Sequence, residues 1–266
     1  MIICADDFGL AEDINEAITD LVRARRLSAV SCMVTAPHCT LSALAGIVGH
    51  QQHIDLGLHL AFTEVPFVLP DAQIRSLVRP NPSYGSLMRR SLLGGVRAAE
   101  AEAEIWAQYE RFRRRVGAPP AFLDGHHHAH QLPGIRDGLI AFLKSLPAGS
   151  RPYVRNTYIP LWKNLRTGVS VLKNIALSMP GRRLRRALLQ NVIPTNEQFT
   201  GIYDFRKTAR YPQFFARFLA TLTSRTGILM VHPGLNESWR RMEYETLRTA
   251  PALDTLCNPM GYRKVA

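Results

Sequence analysis

The chain has 266 residues, an apolar share of 46% and a formal net charge of +12. This length admits one large domain, and the apolar share supports a sizeable core; no run of about 18 or more apolar residues is present, which excludes a membrane-spanning helix. The opening MIICADDFG has neither a basic n-region nor a long apolar stretch ending in a cleavage site, so a cytoplasmic protein is expected.

Residues 1–5 read as a short buried strand, broken by Asp6-Asp7-Phe8-Gly9. Ile14, Ala17, Ile18, Leu21 and Val22 recur at helical spacing, which predicts an amphipathic helix over residues 12–25. Residues 27–35 form a second strand ended by Pro37, and after a small-residue helix residues 54–61 form a third, closing on Gly57-Leu58-His59-Leu60. Alternating strands and helices indicate a parallel α/β sheet or barrel. Residues 63–93, rich in Pro, Ser, Arg and Gly, look like a long excursion over a site. A helix is predicted over residues 98–116, stopped at Gly117, and a strand over residues 121–124 leads into a histidine tract. Further strands are expected at residues 152–155 and 227–231, with helices at 135–146, 211–225 and 237–249. No repeat or composition break marks a second domain, so residues 1–266 are expected to be one domain.

Charge and cysteines narrow the setting. No Asp or Glu occurs between Gly138 and Asn196, whereas that stretch holds Lys144, Arg151, Arg155, Lys163, Arg166, Lys173, Arg182, Arg183, Arg185 and Arg186. Such a segment implies an anionic partner, against the plainer reading of a solvated basic face. Within it, apolar residues from Leu172 to Leu189 interleave with the basic ones, and Pro180-Gly181 should divide them into two short amphipathic pieces. Residues 162–194 thus form a basic insertion or lid-like segment, suited to lying on an anionic bilayer. Cys4, Cys32, Cys39 and Cys257 form no C-x-x-C pair and are expected to be reduced core or near-core thiols.

Asp6-Asp7, His59, His126 and His232 each end an apolar run. In a parallel barrel those ends open on one face, where active sites sit. Adjacent carboxylates at the end of a buried strand repel each other unless a cation holds one of them. In a metal hydrolase one Asp can bind the ion while the other takes a proton from water. Gly57, two residues before His59, could let the backbone pass close to a ligand. In Asp124-Gly125-His126-His127-His128-Ala129-His130, an extended tract would place His126, His128 and His130 on one side and His127 on the other. One carboxylate and two imidazoles leave open positions on an ion for water and substrate. His232 precedes Pro233-Gly234, and an ordinary imidazole pKa would suit it to proton transfer near neutrality.

Four stretches, Ala5-Asp6-Asp7-Phe8-Gly9-Leu10, Gly57-Leu58-His59-Leu60, the tract from Asp124 to His130, and His232-Pro233-Gly234, resemble the YdjC-like carbohydrate deacetylase family of the ChbG and HpnK type. Arg240, Glu243 and Leu247 add a weaker match. The resemblance spans nearly the whole chain and implies a distorted (β/α) TIM-like barrel that hydrolyses the N-acetyl group of an amino sugar. It implies Asp7, His59 and His126 as metal ligands, Asp6 as general base and His232 as acid. His128, His130, Arg155 and Asp124 are expected to contact substrate. Gly125 stands where the family usually has Ser or Asn, and the basic segment has no counterpart in its better-known members. One divalent ion is expected; ligand chemistry favours zinc, the resemblance admits magnesium, and the sequence leaves both open.

The expected partners are an acetylated amino sugar, lipid-linked or phosphate-bearing, and an anionic membrane surface met from the cytoplasmic side. A homo-oligomer stays open. A pI near 10.1 raises nucleic-acid binding, but no binding motif accompanies it. A barrel phosphoesterase would want more carboxylates at the strand ends, and a catalytically dead scaffold would not need the intact Asp and His set.

Overall fold

The computed structural model describes residues 1–78 and 83–256, so Cys257 lies outside the described residues. In chain order it contains β1 (Ile2–Phe8), α1 (Glu12–Arg23), β2 (Ala29–Cys32), α2 (Leu41–Val48), β3 (Asp55–Leu60), α3 (Tyr84–Leu92), α4 (Ala98–Val116), β4 (Phe122–Gly125) and α5 (Ile135–Ser145). Then follow β5 (Tyr153–Val154), α6 (Leu161–Thr167), α7 (Val171–Gln190), β6 (Gln198–Thr200), α8 (Tyr211–Thr221), β7 (Gly227–Val231), α9 (Ser238–Thr249) and α10 (Ala252–Leu256). The strands form one sheet of seven in the order β5-β4-β3-β2-β1-β7-β6, every pair parallel. This is the parallel α/β arrangement indicated by the alternation of elements, curled into a half-barrel as the resemblance to the distorted (β/α) barrel family implied. No ladder joins β5 to β6 among the described residues; a single bridge between Val154 and Thr195 spans that seam, beside a Val154 N–H to Pro194 carbonyl bond of 2.9 Å.

Alternation along the strands sorts residues between two cores. Ile3, Ala5, Val30, Leu56, Leu58, Leu123 and Leu229 point outward and pack under the helices. Ile2, Cys4, Ala29, Phe122, Tyr153, Phe199, Ile228 and Met230 fill the barrel interior, with the Phe122 and Tyr153 rings stacked at 5.1 Å. Two residues further along the strands, the same inward face carries Asp6, Ser31, His59, Asp124, Arg155 and His232. A polar layer therefore lies directly on an apolar plug. Gly57 belongs to the plug: a Cβ there would come within 2.3 Å of the Phe122 ring, so its bareness makes room for an aromatic side chain and not for a ligand.

Two local expectations change. β1 does not stop at Ala5; it runs to Phe8 through a bulge against β2, with Asp7 at φ +68°. α7 is one helix of 20 residues that contains Pro180, not two pieces. The loop it crosses supplies partners at the proline: Thr157 Oγ1 lies 2.8 Å from the Leu177 carbonyl, and Ile159 N–H donates to Ser178 Oγ at 2.9 Å. Gly181 lets that loop approach, since a Cβ there would sit 2.6 Å from Thr157 Oγ1. These bonds tie the helix to the loop in the turn before the proline, which itself removes the ladder hydrogen bond to the Ala176 carbonyl.

Candidate metal and catalytic site

Strand alternation alone would send adjacent residues to opposite faces. The bulge in β1 overrides this, and the left-handed Asp7 backbone brings both Asp6 and Asp7 to the mouth of the barrel. Both line a cavity of about 320 Å³ together with His59, His126, His128 and His232. That volume lies at the lower end of small-molecule sites.

Asp7 is the hub. Its Oδ1 lies 2.9 Å from His126 Nδ1 and 3.5 Å from His59 Nε2, and its Oδ2 accepts from Arg240 Nη2 at 2.7 Å. One ligand atom from each of Asp7, His59 and His126 lies within 4.8 Å of the others, so this buried group could hold a metal ion. The far nitrogen of His59 is fixed: Nδ1 is 2.6 Å from Asp124 Oδ1 and 3.0 Å from Ser31 Oγ. A carboxylate behind an imidazole is the usual support of a metal-binding histidine. Charge points the same way: among the described residues, the buried carboxylates Asp6, Asp7 and Asp124 face two buried guanidiniums, Arg155 and Arg240. The residual negative charge fits a cation. Burial alone would push His59 down, yet Asp124, Asp6 and Asp7 outweigh it and hold it up at about 10. Burial would raise Asp7, but His126 and His59 hold it well below the usual carboxylate range.

Asp6 faces the same space and is gripped by Arg155, whose Nη1 and Nη2 donate to its two oxygens at 2.7 and 2.6 Å. Arg155 Nη2 also lies 3.1 Å from Asp124 Oδ2, so one guanidinium ties both carboxylates. His232 Nε2 is 3.9 Å from Asp6 Oδ2. His232 does not keep the ordinary pKa expected of it: burial, only partly opposed by Asp7 and Asp6, pushes it down to about 4. It is neutral at pH 7.

The histidine tract is not extended. Residues 126–131 form a tight turn in which His127 and His128 adopt φ of +52° and +57°. This splits the four imidazoles. His126 points to Asp7; His127 turns outward beside Glu64 and Tyr84; His128 lines the cavity at right angles to Phe199. His130 is fully buried and meets the Arg155 carbonyl through Nε2 at 2.8 Å. Among the residues expected to touch substrate, only His128 lines the cavity. Arg155, Asp124 and His130 lie beneath it, with no exposed surface.

Other cavity residues were not read from the sequence. Tyr203, Phe205 and Trp239 form an aromatic wall, with the Phe205 and Trp239 rings stacked at 4.1 Å. They follow β6, too short to show a pattern, and start α9. Lys173 closes one side, donating to the Tyr203 carbonyl at 3.0 Å. Arg240, Glu243 and Leu247, which the sequence offered as a weaker family match, form the buried stripe of α9. Glu243 accepts from the His232 N–H at 2.6 Å and from the Tyr203 hydroxyl at 2.7 Å, and burial raises it to about 7.

Known proteins are similar to this chain. A carbohydrate deacetylase of Danio rerio is 32% identical over 140 residues, covering 52% of this chain and 44% of the relative. A chitooligosaccharide deacetylase of Yersinia pestis (strain Pestoides F) is 33% identical over 150 residues, covering 55% and 57%. The chain spans about half the length of these curated relatives. Among solved structures, an Enterococcus faecalis V583 protein, provisionally described as a cellobiose-phosphate cleavage protein, superposes with a TM-score of 0.69 at 18% identity. That likeness covers 100% of this chain and 98% of the other, and it shows the fold. The family model described as YdjC-like protein matches residues 1–258, and the chain belongs to that family.

Proposed function

We propose that this protein is a metal-dependent carbohydrate N-deacetylase, which hydrolyses the amide of an acetylated amino sugar to acetate and the free amine. The observation that carries the reading is the group Asp7, His59 and His126 beside Asp6 in one cavity. The names of the Danio rerio and Yersinia pestis relatives support the substrate class. Asp7, His59 and His126 would hold one divalent ion, zinc or magnesium. Bound there, such an ion supplies Lewis acidity toward the acetyl carbonyl and toward water.

The chain's own residues divide the remaining work. Asp6 accepts the proton of the attacking water, with Arg155 fixing both its oxygens so that the acceptor is already aimed. His232 lines the same cavity, with Nε2 3.9 Å from Asp6 Oδ2, and serves as the acid at the leaving nitrogen, so that the proton Asp6 takes from water is balanced by the one the amine gains. Asp124 and Ser31 hold the His59 ring, His130 props the Arg155 backbone, and the wall of Phe205 and Trp239 offers an apolar face to a sugar ring. His128 faces the substrate directly. We take residues 1–266 as one domain in which residues 162–194 act as a lid-like segment. Its basic side chains beside Lys173 support a substrate that bears a lipid or phosphate group. Buried, unpaired Cys4, Cys32 and Cys39 support a reducing, cytoplasmic setting.

The test is acetate release from a panel of N-acetylated sugars after metals are stripped and restored. Asp6→Asn should lose on the order of 10²–10⁴-fold in rate while still binding metal, and His59→Ala should lose the metal as well. Metal-loaded protein that releases no acetate from any sugar in the panel, or Asp6→Asn at wild-type rate, would sink the reading.

A further inference from the structure

The first half of α7 is built inside out. Its buried positions there are polar, Asn174 and Ser178, whereas Leu172, Ile175, Ala176 and Met179 are exposed at the i, i+3, i+4, i+7 spacing that normally faces a core. α6 extends the patch with Leu161, Trp162 and Leu165. Apart from Ile175 (37%) and Ala176, the apolar side chains of these two groups are between 59% and 82% exposed among the described residues. Exposed apolar side chains gathered on two helices that pack together mark an interaction site.

We propose that the outward face of α6 and α7 docks on an anionic phospholipid bilayer. This deepens the deacetylase reading by naming the surface beside that site, and it rests on that reading only for what is delivered to the cavity. Charge selects the occupant. Arg166, Arg182, Arg183 and Arg186 are exposed around the apolar stripe, and no acidic residue occurs between Gly138 and Asn196. A second copy of this chain, paired about a two-fold axis, would press this basic face against itself. A bilayer accepts both parts: leucines and Met179 at the acyl boundary, Trp162 at the interface, arginines on the headgroups. Contact is peripheral, since no helix among the described residues is long and apolar enough to cross a membrane. On the same helix Lys173 and Leu177 line the cavity, so docking would bring its mouth to the headgroup layer.

The test uses the full chain with phosphatidylcholine vesicles, with and without about 30 mol% phosphatidylglycerol, at roughly 0.15 M salt. Sedimentation with the anionic vesicles is expected, accompanied by a blue shift of tryptophan emission that Trp162→Phe abolishes. Leu172→Ser/Met179→Ser and Arg182→Gln/Arg183→Gln/Arg186→Gln should each weaken binding by about ten-fold or more. Their melting curves should stay at wild type. Failure to sediment with anionic vesicles would overturn the proposal, as would undiminished binding by the leucine–methionine variant. A dimer in sedimentation velocity that this variant disperses would assign the stripe to a second copy instead. Nucleic-acid binding lost in the arginine variant, with vesicles unbound, would equally overturn it. Acetate release without docking refutes only this inference; docking without acetate release refutes only the deacetylase reading.

Discussion

Asp124→Asn isolates the support behind the proposed metal ligand His59. Asparagine keeps the shape of a side chain that is fully buried and removes its charge. Three contacts change: His59 Nδ1 at 2.6 Å, the Ser31 hydroxyl, and Arg155 Nη2 at 3.1 Å. A hydrogen bond to a charged group is worth about 1.5–3 kcal/mol. Transferred to metal affinity at about 1.4 kcal/mol per decade, that is roughly 10–100-fold, the range typical for loss of a carboxylate behind a metal-binding histidine. Competition against a chromogenic chelator should show zinc binding weakened by that factor. Acetate release should fall in parallel at limiting zinc and recover most of the way at saturating zinc. Unchanged zinc affinity, with only a lower melting temperature, would refute the reasoning and reduce Asp124 to an ion-pair partner of Arg155.

Other perturbations test neighbouring claims. Arg155→Met leaves Asp6 and Asp124 without their buried cation and should cost about 3–5 kcal/mol of stability in urea unfolding; a rise in KM alone, with stability kept, would restore Arg155 as a substrate contact. Glu243 has its pKa raised to about 7, so the folded state binds its proton more tightly than the unfolded chain, and stability falls as pH rises from about 4.5 to 7. Glu243→Gln, which can still accept from His232 N–H and donate to Tyr203, should remove that decline; because His232 and His130, both pushed down to about 4, slope the opposite way in wild type and variant alike, the difference between the two proteins is the quantity to measure. Gly57→Ala should destabilise by about 1–3 kcal/mol through overlap with the Phe122 ring, and Phe122→Leu should recover part of the loss.

Much of the architecture was legible because period and punctuation agree. The helix over residues 98–116 and the strand over 227–231 appear with the expected bounds, and the polar residues ending the strands do meet on one face. What escaped depends on packing. The conformation of the histidine tract rests on left-handed His127 and His128, an uncommon backbone conformation even for histidine, which adopts it more often than most residues. Pro180 reads as a helix break unless the partners at Thr157 and Ile159 are known. Depth is equally invisible: Arg155 and His130 look like cavity residues until the polar layer is seen to be two side chains thick. The inverted face of α7 was read as amphipathic, but its direction needed the fold.

The open side of the barrel bears on how firmly the site is held. β5 has only two residues, and Arg155, which fixes Asp6, follows them immediately at the seam. A sheet loosens first where its backbone bonds are sparse. Here the clasp is a pair of amides: Asn156 and Asn196 exchange hydrogen bonds of 2.7, 2.8 and 2.9 Å through side chain and backbone. The proposed proton acceptor, Asp6, is therefore anchored to the most sparsely bonded stave of the sheet, and its aim is only as steady as that clasp.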